Sequence, residues 1–350
     1  MFFKKKTSLT GLDIGSGCIK AAEIVEGKAG SILKHFAVVD IAPGIIEDGV
    51  IKDQETATQI VKGLFRENDL KEQNVSISIG GYSVIVKKIN VQTMTEEELQ
   101  ETIQFEAEQY IPFDIADVNL DFQILGENPH NASQMEVLLV AAKRDMINDY
   151  VDVVRSAGLN PCVMDVDAFA LQNIFEATYE PTEESIALID IGASKTSLNI
   201  LKDNTSVFMR DVSLGCGQIN QKIVSLVGCS PEEAEQIKHS GQVDKVSAED
   251  LREIVSAVVA DWCTEIRRAL DFFYSTYPED QIKRIVLSGG GANIKEFREQ
   301  LAAETSADVD VINPFSSFSV DDRLDASFLE KMAPQAAICM GLAIRKVGDK

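Results

Sequence analysis

Long apolar segments are missing from this chain of 350 residues. No apolar run reaches the roughly 18–20 residues that a membrane-spanning helix needs, so we expect no transmembrane segment. Lys4, Lys5 and Lys6 precede a polar stretch instead of an apolar one, so we do not expect them to begin a signal peptide. These absences predict a cytoplasmic protein.

Patterns typical of disulfides, metal sites and nucleic-acid binding are also scarce. The six cysteines are scattered and form no CxxC pair, which indicates reduced thiols, and the three histidines match no metal-ligand spacing. Basic residues number 33 against 56 acidic ones, which gives a formal net charge of -23. Because so acidic a surface repels phosphate backbones, we do not expect the chain to bind nucleic acid.

Two stretches of the sequence resemble each other. Residues 8–40 and 185–214 each contain a β-type apolar run, an Asp-Ile-Gly triplet, small residues and two further β-type runs. This repetition predicts one β-meander unit that is used twice, as after a gene duplication. The chain length suits two domains of about 150–200 residues each.

The segment between the two repeats has a different character. A strand over 75–79 is predicted to end at Gly80-Gly81, and a helix is predicted to begin at Thr95, with Glu98 completing a capping box. Two strands and a helix that closes at Gly158 follow. We therefore expect a first domain over 1–82 and 161–184, an inserted α/β module over 83–160 and a second domain over 185–350. Helical segments are predicted over 217–240, with a helix start at Ser230 as N-cap and Pro231 at N1, over 248–275 and over about 333–347, the last packing back on the first domain.

The first Asp-Ile-Gly turn has the residue types of a phosphate site. Glycines at 15 and 17 would let backbone amides approach phosphate oxygens, Asp13 would hold Mg²⁺ through water, and Ser16 and Lys20 would add a hydroxyl and a point charge. The alternative is a plain β-hairpin with glycine in its turn. The second turn, DIGASKT over 190–196, repeats the pattern, and the pair of turns is more specific than either one alone.

Two further segments are candidates for a nucleoside site. The run SGGGAN over 288–293 places three glycines between a strand and a helix, and Gly215 and Gly217 open a helix that precedes Glu235 and Lys238. The alternatives are an ordinary strand-to-helix turn and an exposed i,i+3 ion pair. No P-loop, Rossmann fingerprint or hydrolase triad is present.

The order of these four motifs resembles the actin-like ATPase superfamily. Within it, the segments GLDIGSGCIKAAEI, EAEQYIPFDIADVNLDFQIL and MDVDAFALQNIFE are similar to the family of actin-like type IV pilus assembly proteins. The resemblance implies an α/β fold with two duplicated actin-like (ribonuclease H-like) domains around a nucleotide cleft, and a small α/β subdomain inserted as in FtsA.

The resemblance also implies roles for individual residues. It assigns ATP and Mg²⁺ to the cleft, with water-mediated metal contacts from Asp13 and Asp190. Asp167, or the nearby Asp165, falls where hydrolytic members carry a water-positioning residue; an aspartate is short for that role, so we expect slow or no hydrolysis. The residues implied to bind the nucleotide are Asp13, Gly15, Ser16, Gly17, Lys20, Asp190, Gly192, Ser194, Lys195, Thr196, Gly215, Gly217, Glu235, Lys238, Gly289, Gly290, Gly291 and Asn293.

Partners follow from the same resemblance. It implies capture of the cytoplasmic N-terminal peptide of the inner-membrane protein PilN, contacts with the pilus assembly ATPases and a peripheral place at the inner membrane. Self-association, an FtsA-like cell-division filament protein and a small-molecule kinase of the same superfamily are the alternatives that the sequence leaves open.

Overall fold

The computed structural model describes residues 9–28, 30–240 and 246–349, without the side chain of Ser240. The N-terminal segment with Lys4, Lys5 and Lys6 lies outside these residues. Among the described residues, no helix is long and apolar enough to cross a bilayer.

Strands and helices are interspersed along the described chain. The strands are β1 Thr10–Ile14, β2 Cys18–Gly27, β3 Gly30–Asp40, β4 Ile46–Glu47, β5 Val50–Ile51, β6 Asn74–Ile79, β7 Val84–Gln92, β8 Val118–Glu127, β9 Gln134–Lys143, β10 Asn160–Val166, β11 Ser185–Ile191, β12 Thr196–Lys202, β13 Thr205–Val212, β14 Ile282–Ser288, β15 Asp308–Val311 and β16 Ser319–Val320. The helices are α1 Gln54–Glu67, α2 Glu96–Glu108, α3 Arg144–Ser156, α4 Asp167–Thr178, α5 Gly217–Val227, α6 Pro231–Ser240, α7 Ala248–Thr276, α8 Lys295–Thr305, α9 Ala326–Met332 and α10 Ala337–Ala343.

The two large sheets share one plan. The first has the order β10-β6-β1-β2-β3-β16 and the second β13-β12-β11-β14-β15. In both, a three-stranded antiparallel meander continues into two parallel strands, and β16 is an addition to the first sheet alone. The predicted α/β fold of duplicated actin-like units is confirmed. We call the first sheet with its helices the first half and the second sheet with its helices the second half.

A third sheet is inserted into the first half. Strands β7, β9 and β8 pair in that order and antiparallel, and α2 packs on them through Leu99, Ile103 and Ala107. The predicted capping box at the start of α2 is confirmed, because Thr95 and Glu98 exchange their side chain–backbone hydrogen bonds. We call β7–β9 with α2 the inserted module; Gly80 and Gly81 link it to β6.

The two halves share a core built on α4 and α10. Leu171 and Ile174 of α4 pack with Ala336, Cys339 and the neighbouring residues of the C-terminal segment, and apolar side chains from both large sheets complete the cluster. α10 lies so close to its neighbours that an alanine methyl at position 341 would overlap the backbone of Ala170. Close packing of this kind holds the two halves together at α4 and α10.

Two predicted helices differ from the observed ones. The segment over 217–240 forms two helices, because Gly228 adopts the left-handed conformation (φ 66°) that ends α5, and Ser230 then caps α6 by accepting from the amide of Glu233 at 3.2 Å. The final helix is shorter than predicted: a 3-10 turn occupies Ala333–Ala336, with Pro334 in it, and the α-helix ends at Ala343.

Candidate functional site: a phosphate cleft between the two halves

Asp13 and Lys20 form a buried ion pair at the end of the first hairpin. They are directly opposite each other in the β1–β2 register, and Lys20 Nζ donates to Asp13 Oδ2 at 2.7 Å. Burial by itself would lower the pKa of Lys20, but the charge and hydrogen bond of Asp13, together with smaller effects of Cys18 and Cys339, outweigh it and raise the pKa above its ordinary value. Lys20 is therefore a fixed positive charge beside the hairpin turn, where the Gly15 amide donates to the carbonyl of Cys18 at 3.2 Å.

The second hairpin repeats this geometry with one difference. The Gly192 amide donates to the carbonyl of Lys195 at 2.9 Å, as Gly15 does in the first hairpin. Asp190, however, accepts from the hydroxyl of Ser288 at 2.8 Å and has no cation in direct contact among the described residues. Burial, and then the nearby charge of Asp13, raises the pKa of Asp190 to about 6.

The two hairpin turns touch each other. The hydroxyl oxygens of Ser16 and Ser194 lie 2.8 Å apart, and a methyl group added at Gly17 would lie 2.9 Å from the Cβ of Ala193. Because Ser16 belongs to the first half and Ser194 to the second, the cleft is closed at this point by the turns themselves. The sequence predicted that these turns face one site, and the structure brings them together.

The cleft has the chemistry that a magnesium-bound phosphate needs. Two carboxylates, Asp13 and Asp190, are close enough for one to shift the pKa of the other, and serine hydroxyls and glycine amides lie beside them. Mg²⁺ prefers oxygen ligands and is usually held by one or two carboxylates together with phosphate oxygens and water. No described group of three or more His, Cys, Asp or Glu side chains forms a ready metal site. The residues thus fit a metal that arrives with a phosphate ligand.

Asp167 lies at the same cleft and has both carboxylate oxygens engaged. Ser78 donates to Oδ1 at 2.6 Å, and Lys195 donates to Oδ2 at 2.5 Å. Burial would raise the pKa of Asp167, but the charge and hydrogen bond of Lys195 outweigh it and hold the pKa below its usual value. Both residues were predicted for the site, but their pairing and the role of Ser78 were not.

Three other predicted residues contact backbone groups at or beside the second turn. The hydroxyl of Thr196 donates to the carbonyl of Leu214 at 2.8 Å, so its side chain is engaged by the protein itself. Gly217 donates its amide to the carbonyl of Ala193 at 2.8 Å, and a methyl group at Gly215 would lie 2.6 Å from the same carbonyl oxygen. The N-terminus of α5 thereby rests directly on the turn.

The predicted nucleoside residues of α6 form a small polar cluster. Lys238 and Asn220 both donate to Glu235 Oε2, at 2.6 and 2.5 Å. Burial would raise the pKa of Glu235, but these two hydrogen bonds hold it below its usual value. Cys216 lies near this cluster. Burial raises the pKa of its thiol to about 11, and the charges of Lys238 and Glu235 also act on that pKa.

The three glycines after β14 have different surroundings. Gly289 (φ 80°) and Gly291 pack against Ile191, and Gly291 also contacts the ring of Trp262, so these two serve the packing of the protein. Gly290 instead faces Cys216 and Gln335, both about 3.9 Å from where a methyl group would lie. Asn293 is exposed at the end of the 3-10 turn.

Sequence reasoning missed three residues of this region. Cys216, Asn220 and Gln335 border Gly290 or Glu235. The first two lie in the predicted segment that Gly215 and Gly217 open but were not singled out there, and Gln335 belongs to no motif. Asn220 lies one turn into α5 and was detectable as a polar residue near the predicted helix N-terminus. Its Oδ1 is buried without a hydrogen-bond partner among the described residues, so it is an acceptor available to a ligand.

The sequence model of the family "Type IV pilus assembly protein PilM" matches residues 11–347. Among solved structures, the chain is similar to the "PilM-PilN type IV pilus biogenesis complex", with 27% identity, a TM-score of 0.86 and coverage of 98% of this chain and 100% of that one. It is also similar to the ethanolamine utilization protein EutJ from Carboxydothermus hydrogenoformans, with 14% identity, a TM-score of 0.59 and coverage of 96% and 89%. MreB 5 of Spiroplasma citri bound to AMPPNP gives 13% identity, a TM-score of 0.54 and coverage of 97% and 95%. The last two likenesses concern the fold alone.

Proposed function

Since the chain belongs to the type IV pilus assembly protein PilM family, we propose that it is a nucleotide-dependent adaptor, which holds Mg-ATP between its two halves and captures the N-terminal peptide of PilN. The observation that carries the nucleotide part is the contact between the two turns, where Ser16 and Ser194 lie 2.8 Å apart beside Asp13 and Asp190. A triphosphate bound there would contact both halves at once.

The individual roles follow from the geometry. Lys20 and the amides of the first turn would bind phosphate oxygens, and Asp13 and Asp190 would hold the metal through water. Mg²⁺ supplies charge neutralisation of the phosphates. The polar cluster of Glu235, Lys238 and Asn220 lies on the side where the ribose or base would rest. The shared core of α4 and α10 joins the two halves on one side of the cleft. A bound nucleotide would therefore act on the opposite, open side.

Turnover is proposed to be slow. A general base must accept a proton from the attacking water, and it does so best when its pKa lies near the working pH. Asp167 is a short carboxylate whose ordinary pKa of 3.8 lies far below neutral pH, and Ser78 holds one of its oxygens, so it is a weak base whether or not Lys195 stays paired with it. Slow hydrolysis suits a protein whose nucleotide sets a shape for partner binding.

The partner part rests on the family and on the likeness to a PilM–PilN complex. A protein of this kind would sit at the inner face of the inner membrane through PilN and would contact the pilus assembly ATPases. Self-association is a further property that we leave to measurement of the oligomeric state with and without nucleotide.

One experiment tests both parts. Calorimetry with Mg-ATP and Mg-ADP is carried out on the wild type, Asp13→Ala and Asp190→Asn, and a synthetic PilN N-terminal peptide is then titrated into each protein. We expect the wild type to bind both nucleotides, to hydrolyse ATP slowly and to bind the peptide, with both variants impaired in nucleotide binding. Absence of nucleotide binding by the wild type would reject the nucleotide role, and rapid hydrolysis on adding a sugar or acid would favour a kinase.

A further inference from the structure

Lys195 reaches across the cleft from the second half to the first. It lies in the turn between β11 and β12, next to Ser194, and its ammonium group contacts Asp167 at the start of α4. The two side chains are 18% and 15% exposed, so the pair is largely shielded from water. Burial would lower the pKa of Lys195, but Asp167, and then Asp211, outweigh it and raise the pKa, so the residue stays charged.

A second bridge lies beside the first. Asp211 of β13 accepts the backbone amide of Gly81 at 2.5 Å, and its other oxygen accepts from Ser197 at 2.5 Å. Gly81 belongs to the link between β6 and the inserted module, and the Val84 amide donates to its carbonyl at 3.0 Å as β7 begins. The second half therefore holds the base of the inserted module directly.

The two bridges are coupled through charge. The ammonium group of Lys195 lies within electrostatic reach of both Asp167 and Asp211. Its single positive charge therefore attracts both carboxylates, Asp167 by direct contact and Asp211 at longer range. If the ammonium group moved away, both carboxylates would lose this attraction at once.

Gly80 leaves the space that this arrangement needs. The ammonium group of Lys195 and the carboxylate of Asp167 both lie over its Cα, where any side chain would overlap them. A cavity of about 180 Å³ opens at the same place, with walls from all three sheets that include Tyr82, Val84, Asp167 and Met209. The three parts thus meet around a cavity, which leaves unfilled space beside the Lys195–Asp167 pair.

We propose that Lys195 is a latch between the phosphate site and the inserted module. Without nucleotide it holds Asp167 and keeps the Gly80-Gly81 link fixed; when a triphosphate enters, the ammonium group turns to the phosphates and the link is released. The proposal rests on the proposed nucleotide function. A triphosphate carries several negative charges against one on Asp167, and Lys195 is adjacent to Ser194 of the phosphate turn, so a side-chain rotation is all that the exchange requires.

Amide hydrogen exchange over residues 80–86 measures the latch. The proteins are the wild type, Lys195→Met, Gly80→Ala and the control Lys202→Met, each without nucleotide and with Mg²⁺ and AMPPNP at a concentration that calorimetry shows to be saturating. Gly80→Ala displaces the tip of Lys195 but keeps both charges, so it remains informative if Lys195→Met leaves Asp167 too poorly compensated to fold. Lys202 is the matched control, because it pairs with Asp280 at 2.8 Å within the second half and lies at the far end of β12.

We expect AMPPNP to speed exchange over 80–86 by about tenfold in the wild type and in Lys202→Met. Lys195→Met and Gly80→Ala should exchange at the fast rate before nucleotide is added and change little afterwards. The latch is rejected if saturated wild type shows no change, or if the two variants without nucleotide exchange like the wild type. The second comparison needs no nucleotide, so it judges the latch even if the wild type binds none and the proposed function fails.

Discussion

The hydroxyl oxygens of Ser16 and Ser194 lie 2.8 Å apart, although the two residues belong to different sheets and are 178 positions apart in the chain. Each serine lies in the turn of an Asp-Ile-Gly hairpin, and the two hairpins have the same backbone hydrogen bond across the turn. The contact means that the two copies of one duplicated unit meet at their Asp-Ile-Gly turns. A ligand that bridges them senses the spacing of the two halves.

Gly17→Ala should push these turns apart. The added methyl group would lie 2.9 Å from the Cβ of Ala193, which is closer than two methyl groups pack. We expect nucleotide affinity to fall by about tenfold, which corresponds to roughly 1.4 kcal/mol of strain. Calorimetry with Mg-ATP measures the dissociation constant of the wild type and of the variant. The double variant Gly17→Ala/Ala193→Gly removes the clash and should recover most of the affinity; if it does not, the spacing argument fails.

Asp190→Asn should stabilise the nucleotide-free protein near neutral pH. The folded pKa of Asp190 is about 6 against an ordinary value of 3.8, so the folded state keeps a proton that the unfolded state has lost. Stability due to this group falls as pH rises from about 4 to 6 and then stays low. Asparagine does not ionise, so the variant lacks this loss. Its free energy of unfolding should exceed that of the wild type by almost nothing at pH 4 and by up to about 3 kcal/mol at pH 7.

Urea unfolding of both proteins from pH 4 to pH 8 provides the measurement. An advantage that is independent of pH would show that the ionisation of Asp190 is not its source. The same variant should bind Mg-ATP less well, so the residue would be retained for its ligand at the expense of stability.

Lys20→Met should strongly destabilise the first half. It leaves the buried carboxylate of Asp13 without its partner at 2.7 Å, and breaking a buried pair in this way costs about 3–5 kcal/mol. The double variant Asp13→Asn/Lys20→Met removes both charges and should lose much less. Urea unfolding of the two single variants and the double variant completes a mutant cycle; additive losses would show that the pair is not coupled.

Two helical glycines should respond to alanine with opposite signs. Gly341 of α10 lies against the backbone of Ala170, so Gly341→Ala forces the shared core apart. We expect the free energy of unfolding to fall by about 3 kcal/mol. A methyl group added at Gly63 of α1 would have only the side-chain tip of Glu67 nearby, at 3.8 Å. Gly63→Ala should therefore raise the free energy of unfolding by about 0.5–1 kcal/mol through helix propensity. Thermal unfolding compares the two variants, and equal effects would contradict the packing of α10.

Local patterns predicted much of the secondary structure. The capping box of Thr95 and Glu98 and the end of β6 at Gly80-Gly81 were found as predicted, because a capping side chain or a glycine acts within three or four residues of itself. The helix predicted over 217–240 was divided at Gly228 for a local reason that the sequence also contains. The predicted helix start at Ser230 and Pro231 is confirmed, and the error was to carry the helical segment through Gly228, which takes positive φ.

The sequence by itself determined the duplicated hairpins and the residue types at their turns, because strand alternation and glycine turns are properties of short segments. Only the tertiary structure decided the pairs across the cleft. Asp167 could have served as a free carboxylate, but the fold brings Lys195 to it from 28 positions away and Ser78 from 89. Such contacts depend on how two sheets pack around α4 and α10, and packing is a sum over many distant residues that no local pattern records.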